Sequence, residues 1–222
     1  MLKLTSSHNR IDIIEYSADA TLEDLVTGTE NLRSNGLRKT KTCIGCGNCC
    51  MPPPPILGAD LADLSLRLCN GDMRKLTDNY LAIPHVPPPE LINKQIAELV
   101  RLNSFNEKES RLLFEYNNSE PITFKKKEND SCIFFDGEKC TIYEMRPFIC
   151  RLYNCVMGNR LSVLEEMIVA QGTWHAYSLI GLIQPSDIGH NPFINNEGYK
   201  NIKIGSFEYD FEKSLTQIFG YF

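Results

Sequence analysis

The sequence predicts an α+β fold: a small cysteine-rich metal-binding core with a short antiparallel sheet, flanked by helices. Three observations predict it. Apolar residues recur at helical spacing before and after the centre of the chain. Four short segments between Arg111 and Tyr143 are rich in aromatic and β-branched residues and are separated by turn pairs. Eight of the nine cysteines fall in two blocks, Cys43 to Cys50 and Cys132 to Cys155.

In chain order, Arg10 to Tyr16 (RIDIIEY) reads as a short strand. Thr21 to Arg33 reads as a helix: Thr21 can cap it, Asp24 stands three residues on, and Leu22, Leu25, Val26 and Leu32 share a face. Asn35-Gly36 is a stop signal. After the first cysteine block come Pro52 to Pro55, extended backbone that neither a helix nor a central strand tolerates. Helices are expected from Ala59 to Cys69, ended by Asn70-Gly71, from Met73 to Leu81, and from Glu90 to Leu102. The last of these carries the stripe Leu91, Ile92, Ile96, Leu99 and Val100. RLLFEY, PITFKKK, SCIFF and KCTIY then read as a sheet of three or four antiparallel strands, with turns at Asn117-Asn118, Asn129-Asp130 and Asp136-Gly137. Pro147 opens a helical turn bearing Cys150 and Arg151. A helix follows from Leu161 to Trp174, and the fourfold spacing of Phe207, Phe211, Leu215 and Phe219 predicts a last amphipathic helix.

At 222 residues the chain suits one compact unit: an N-terminal extension (1–37), a cysteine-cluster domain (38–160) and a C-terminal helical extension (161–222). A net charge of −5 disfavours generic nucleic-acid binding. The run Lys125-Lys126-Lys127 is followed by Glu128 and Asp130 and reads as a solvated turn. No secretory signal is visible, and the most apolar stretch, Ala176 to Ile183, is far short of the about 20 residues that span a bilayer. The expectation is a soluble cytoplasmic protein that binds neither nucleic acid nor membrane. In a reducing compartment clustered thiols read as metal ligands rather than disulfides.

Cys43-Ile-Gly-Cys46-Gly-Asn-Cys49-Cys50 is the strongest motif. Two residues between cysteines let both thiolates reach one metal or cluster face, and Gly45 and Gly47 allow tight backbone. Cys49 and Cys50 are adjacent, so their side chains need not serve one centre. With Cys132, Cys140, Cys150 and Cys155 there are eight thiols, enough for two four-cysteine sites or for one with spectators. Cys150 and Cys155 would stand about 140° apart on a regular helix. Cys69, at a helix end, reads as a buried thiol outside the ligand set. Arg146 and Arg151 flank the distal cysteines; each can offset thiolate charge from outside the ligand set or form a salt bridge that fixes the Pro147 turn. Tyr143 reads as core, the four histidines as structural or surface, and Asp60, Asp63 and Asp72 as a solvated helix face.

Together the first block and the distal run CIFFDGEKCTIYEMRPFICRLYNC resemble the YkgJ-like CxxCxxCC cysteine-cluster family, a zinc- or iron-chelating domain. The matching positions are Cys43, Cys46, Cys49, Cys50, Cys132, Cys140, Tyr143, Arg146, Pro147, Cys150, Arg151, Tyr153 and Cys155, within Lys41 to Cys155. Asn154 stands where the family often has proline. The resemblance implies metal binding. Three roles follow in order: an iron–sulfur protein, 4Fe-4S by preference, in electron transfer, sensing or an oxidoreductase; a structural Zn2+ module for a protein partner; or an enzyme modifying a protein or peptide, by likeness to the larger flagellin lysine-N-methylase. The last lacks the Gly-rich loop and ribose-binding acid of a dinucleotide-type βαβ unit.

Overall fold

The computed structural model describes residues 1–7, 10–32, 47, 50–102, 106–152, 157–189, 191–196 and 198–207. The fold is α+β and mostly helical, with two antiparallel strand pairs.

Strands β1 (Leu2–Ser7) and β2 (Arg10–Tyr16) form the first pair. Alternation along β2 buries Ile11 and Ile13. The sequence reading found β2 and missed β1. Helix α1 (Leu22–Leu32) starts as expected: the Asp24 N–H donates to Thr21 Oγ1 (3.2 Å) and the Thr21 N–H to Asp24 Oδ2 (2.9 Å). The stop signal at Asn35-Gly36 lies outside the described residues.

Helix α2 (Gly58–Cys69) ends on Asn70, which is left-handed at φ 53°. Helix α3 (Met73–Tyr80) is capped by Asp72, whose side chain accepts from the Lys75 N–H. Leu81 leaves that helix to form β3 (Leu81–Ala82), paired with β4 (Thr123–Phe124). Helix α4 (Pro89–Leu102) buries Ile92 and Ile96, whereas Leu91 and Val100 are exposed, so its apolar stripe is narrower than expected.

The largest correction concerns RLLFEY, which is helical. Helix α5 (Glu107–Asn117) begins with a reciprocal cap upstream of that segment: the Glu109 N–H donates to Asn106 Oδ1 (2.9 Å) and the Asn106 N–H to Glu109 Oε2 (3.0 Å). Ser110 and Phe114 are buried four residues apart, a helical interval. The expected sheet of three or four strands is therefore β4 paired with β3. SCIFF and KCTIY make only isolated bridges, Lys126 to Cys132 and Phe135 to Cys140. Asp130 and Gly137, at positive φ, lie in the turns between the bridged residues. The lysine run is engaged locally: Lys126 pairs with Asp130, while the Lys125 and Lys127 ammonium groups donate to the carbonyls of Asp78 and Phe135.

Helix α6 (Phe148–Leu152) follows Pro147, and α7 (Asn159–Leu179) runs five residues beyond the expected Trp174. Among the described residues no helix is long and apolar enough to cross a membrane. Of the expected C-terminal helix only Phe207 is described; it is buried edge-on against Phe193, at 5.8 Å between ring centroids.

Two apolar cores result. The first gathers Leu61, Leu76, Ile96, Phe114, Phe124 and Trp174; the second gathers Ile13, Leu25, Phe148, Leu161, Ile168 and Phe193. Helices α2 and α7 contribute to both, with Leu57, just before α2, in the second core.

Buried in the α5–α7 interface is Glu115. Its Oε1 accepts the Gly189 N–H (3.3 Å), and its main-chain carbonyl accepts the Trp174 indole N–H (2.9 Å). Burial pushes the carboxyl up to about 7, against the Gly189 N–H and Arg111, which lower it. Folding raises this pKa, so the contribution to stability is complete below the unfolded value of 4.5 and is lost as pH rises through about 7. Glu115→Gln is therefore expected to stabilise the protein at pH 8 by roughly 1–3 kcal/mol, with little effect at pH 5. Urea unfolding at the two pH values checks this; an equal effect at both would contradict it.

Candidate metal centre

Of the first cysteine block, Gly47 and Cys50 are described; Cys43, Cys46 and Cys49 lie outside the described residues. The Cys50 N–H donates to the Gly47 carbonyl (2.8 Å). Gly47 has φ +59°, and a Cβ there would stand 2.7 Å from the Phe135 ring, so both conformation and space call for glycine. The Cys50 carbonyl in turn accepts the N–H of Cys132 (2.8 Å). Thus the two blocks, some eighty residues apart in sequence, meet through a backbone hydrogen bond and an aromatic ring laid on glycine.

The proline stretch carries this contact into the fold. Pro53 and Pro54 are buried, Pro55 bridges to Thr123, and the Ile56 N–H donates to the Ile122 carbonyl (2.7 Å). Helix α2 begins two residues later.

In the distal block, Cys132 is buried, and Cys50 and Cys140 pack half-buried against the first core. The Phe135 N–H donates to the Cys132 carbonyl (2.9 Å), and the Thr141 N–H to the Phe134 carbonyl (2.8 Å), so the chain between Cys132 and Cys140 folds back on itself. Cys150 is half-buried on α6, whose Phe148, Ile149 and Leu152 enter the second core. Cys155 lies outside the described residues. Among the described residues no three His, Cys, Asp or Glu side chains are grouped to hold a metal ion. Cys69 is buried in the first core, where burial pushes its thiol up.

Asp60 departs from its reading as a solvated residue. It is buried, and its two oxygens are divided: Oδ1 accepts the Phe148 N–H (2.9 Å) and Oδ2 the Leu57 N–H (3.0 Å). One carboxyl thus joins the start of α2, downstream of Cys50, to the start of α6, two residues before Cys150. Burial raises its pKa to about 6, against the Phe148 N–H, the Tyr199 hydroxyl, the Leu57 N–H and Arg151, which lower it. The Tyr199 ring stacks on Phe148 at 4.3 Å. The other two acids fit a helix surface: Asp63 pairs with Arg67 (2.7 Å), and Asp72 caps α3.

Both arginines form ion pairs with α1. Arg146 lies 3.7 Å from Glu30, and Arg151 lies 3.4 Å from both Glu23 and Glu30. Arg146 also donates from Nε to the Tyr143 carbonyl (3.0 Å) and covers the Tyr143 ring at 3.7 Å. Tyr143 itself is 40% exposed, a lid on Arg146 rather than a core residue. The sequence reading missed Glu23 and Glu30. Their spacing of seven, two helical turns on one face, was the available signal. His175 stacks on Phe193 at 5.9 Å, half-buried, and burial pulls its pKa down. His8 and His190 lie outside the described residues.

This is a helical α+β protein in which a main-chain hydrogen bond joins Cys50 of the first cysteine block to Cys132 of the second. A family model described as "CxxCxxCC: Putative zinc- or iron-chelating domain" matches residues 42–168, more than half of the chain, and the protein belongs to that family. The matched span contains all eight motif cysteines and leaves out β1, β2 and α1. No curated protein and no solved structure matches the chain. The donor chemistry fits the family: thiols, half-buried at Cys50, Cys140 and Cys150, suit zinc or iron.

The Asp60 cross-link has a measurable consequence. Asp60→Ala leaves two buried N–H groups without their acceptor and is expected to cost roughly 2–4 kcal/mol in urea unfolding at pH 7. Asp60→Asn keeps one amide oxygen and should cost less; equal losses would show that these hydrogen bonds are not the source of the stability.

Proposed function

We propose that Cys43, Cys46, Cys49, Cys50, Cys132, Cys140, Cys150 and Cys155 hold one or two thiolate-ligated centres, with an iron–sulfur cluster of the 4Fe-4S type the preferred occupant. The observation that carries this reading is the hydrogen bond from the Cys132 N–H to the Cys50 carbonyl, which brings the two blocks together. When bound, such a cluster supplies one-electron chemistry whose potential depends on hydrogen bonds to sulfur and on burial. The chain would then act in electron transfer, in sensing or with an oxidoreductase in the cytoplasm. Its own residues would hold the thiols, keep the centre half-buried at the core seam, and place the Arg146 and Arg151 charges outside the ligand set.

The family description, which names zinc beside iron, supports a second reading: a structural zinc module that presents a surface to a protein partner. The lysine-methylase alternative gains nothing from the fold, since both described strand pairs are antiparallel. In either metal reading, residues 1–37, 38–160 and 161–222 act as one compact unit. Support comes from the ion pairs of α1 to Arg146 and Arg151 and from the bridge between Ile11 and Met157.

Anaerobic purification separates the two. A brown protein with absorption near 400 nm, acid-labile sulfide and a Mössbauer iron signal is the expected result; colourless protein with stoichiometric zinc would replace iron–sulfur by zinc. A zinc module should also unfold on chelation. Cys46→Ser and Cys150→Ser are each expected to lower metal content sharply, and Cys69→Ser to leave it near normal. Equal loss from all three would overturn the ligand assignment.

A further inference from the structure

The described residues on either side of Cys155, Arg151 and Met157, both contact residues 1–32, which lie outside the family match. Arg151 is paired with Glu23 and Glu30 of α1. Met157 bridges in parallel to Ile11 of β2, and the Gly158 N–H donates to the Ile11 carbonyl (2.7 Å). The next residue along β2, Asp12, reaches into the first turn of α7, where its Oδ1 accepts the Leu161 N–H (2.9 Å).

This last contact replaces a missing part. The N-cap position of α7 is Gly158, which has no side chain to satisfy the exposed N–H groups of the first turn. The Asp12 carboxyl occupies the space that a Cβ on Gly158 would need. So β2, about 150 residues upstream, supplies the cap that α7 lacks, and its negative charge lies at the favourable end of the helix. The same Oδ1 accepts the Ile13 N–H (2.9 Å), which fixes the carboxyl to its own strand. Arg160 adds a further tie, donating to the Ile14 carbonyl (2.9 Å).

We propose that Asp12 is a positioning residue for the metal centre: by capping α7 it sets where the chain re-enters the fold after Cys155, and so fixes the reach of the Cys150–Cys155 pair. The proposal rests on the metal-binding reading above. In the sequence three residues separate Cys155 from the first residue of α7. The N-terminal hairpin is then part of the metal site, although it supplies no ligand.

The test uses the full chain, reduced and stripped of metal. Zinc affinity is measured by competition with a chromophoric chelator, and ligand geometry by the thiolate-to-cobalt charge-transfer band after cobalt(II) substitution. Asp12→Ala is expected to weaken zinc binding roughly tenfold or more and to alter the cobalt band. Asp12→Asn, which keeps an acceptor oxygen in place, should return affinity to within about threefold of the unaltered protein. Ile92→Ala, on the buried face of α4 in the first core, should lower stability without changing either metal readout. Unchanged zinc affinity in Asp12→Ala overturns the proposal, as does equal weakening in Asp12→Asn or in Ile92→Ala. Should Asp12→Ala not fold, the double substitution Glu23→Gln and Glu30→Gln on the other side of Cys155 decides: a loss of about threefold or more supports the proposal, and no loss overturns it. If the unaltered protein binds neither metal, the metal-binding reading itself fails, which is seen before any substitution is made.

Discussion

The buried carboxyl of Asp60 is the constraint on which the two halves of the molecule depend. A carboxylate taken out of water is costly unless its oxygens are hydrogen-bonded. Here each oxygen takes one main-chain N–H, from Leu57 and from Phe148, and each of those N–H groups opens a helix. A helix start exposes amide groups that need acceptors, so the acid and the two helices satisfy one another. One helix follows the proline stretch downstream of Cys50; the other carries Cys150. No apolar contact could fix their relative placement with comparable directionality, because dispersion and burial are weakly oriented.

The cysteines follow from this arrangement. Cys50, Cys132 and Cys140 border the first core, while Cys150 stands on a helix packed into the second. A centre that drew on both groups would sit at the seam, where Asp60 and the Tyr199–Phe148 stack already hold the halves together. The arginines suit that location. A thiolate centre carries net negative charge, and the carboxylates that pair with Arg146 and Arg151 compete with sulfur for the same guanidinium groups. The ion pairs to Glu23 and Glu30 are 3.4–3.7 Å long, with side chains only 10–34% exposed, so they are partly shielded from solvent screening.

Much of this was legible in the sequence where a signal was local. Strand β2, the start of α1, the stop of α2 and the start of α6 were legible, the last three from a Thr–Asp cap, an Asn-Gly stop and a proline. The cysteine blocks and their family likeness were equally local. RLLFEY was misread because its composition suits a strand, while the decisive cap, Asn106 with Glu109, lies just upstream. Asp60 and Asp12 were misread or missed for a different reason. Each caps a helix far away in the chain, and an aspartate on a helix or strand looks the same in sequence whether it faces water or a partner 88 or 149 residues on.

That long-range capping bears on how a thiolate site is built. Gathering several thiolates costs chain entropy and mutual repulsion, and both costs fall when the backbone between ligands is fixed before the metal arrives. In the first block Gly47 lies under Phe135, and Cys50 leads into prolines with little freedom to lose. Around the distal block the contacts come from elsewhere in the chain: Arg151, next to Cys150, pairs with Glu23 and Glu30, and Asp12 caps α7, and these three carboxylates belong to the N-terminal elements that the family match leaves out. A cysteine pattern therefore identifies the donors, whereas the long-range contacts that hold the neighbouring helices are made by carboxylates that no cysteine motif contains.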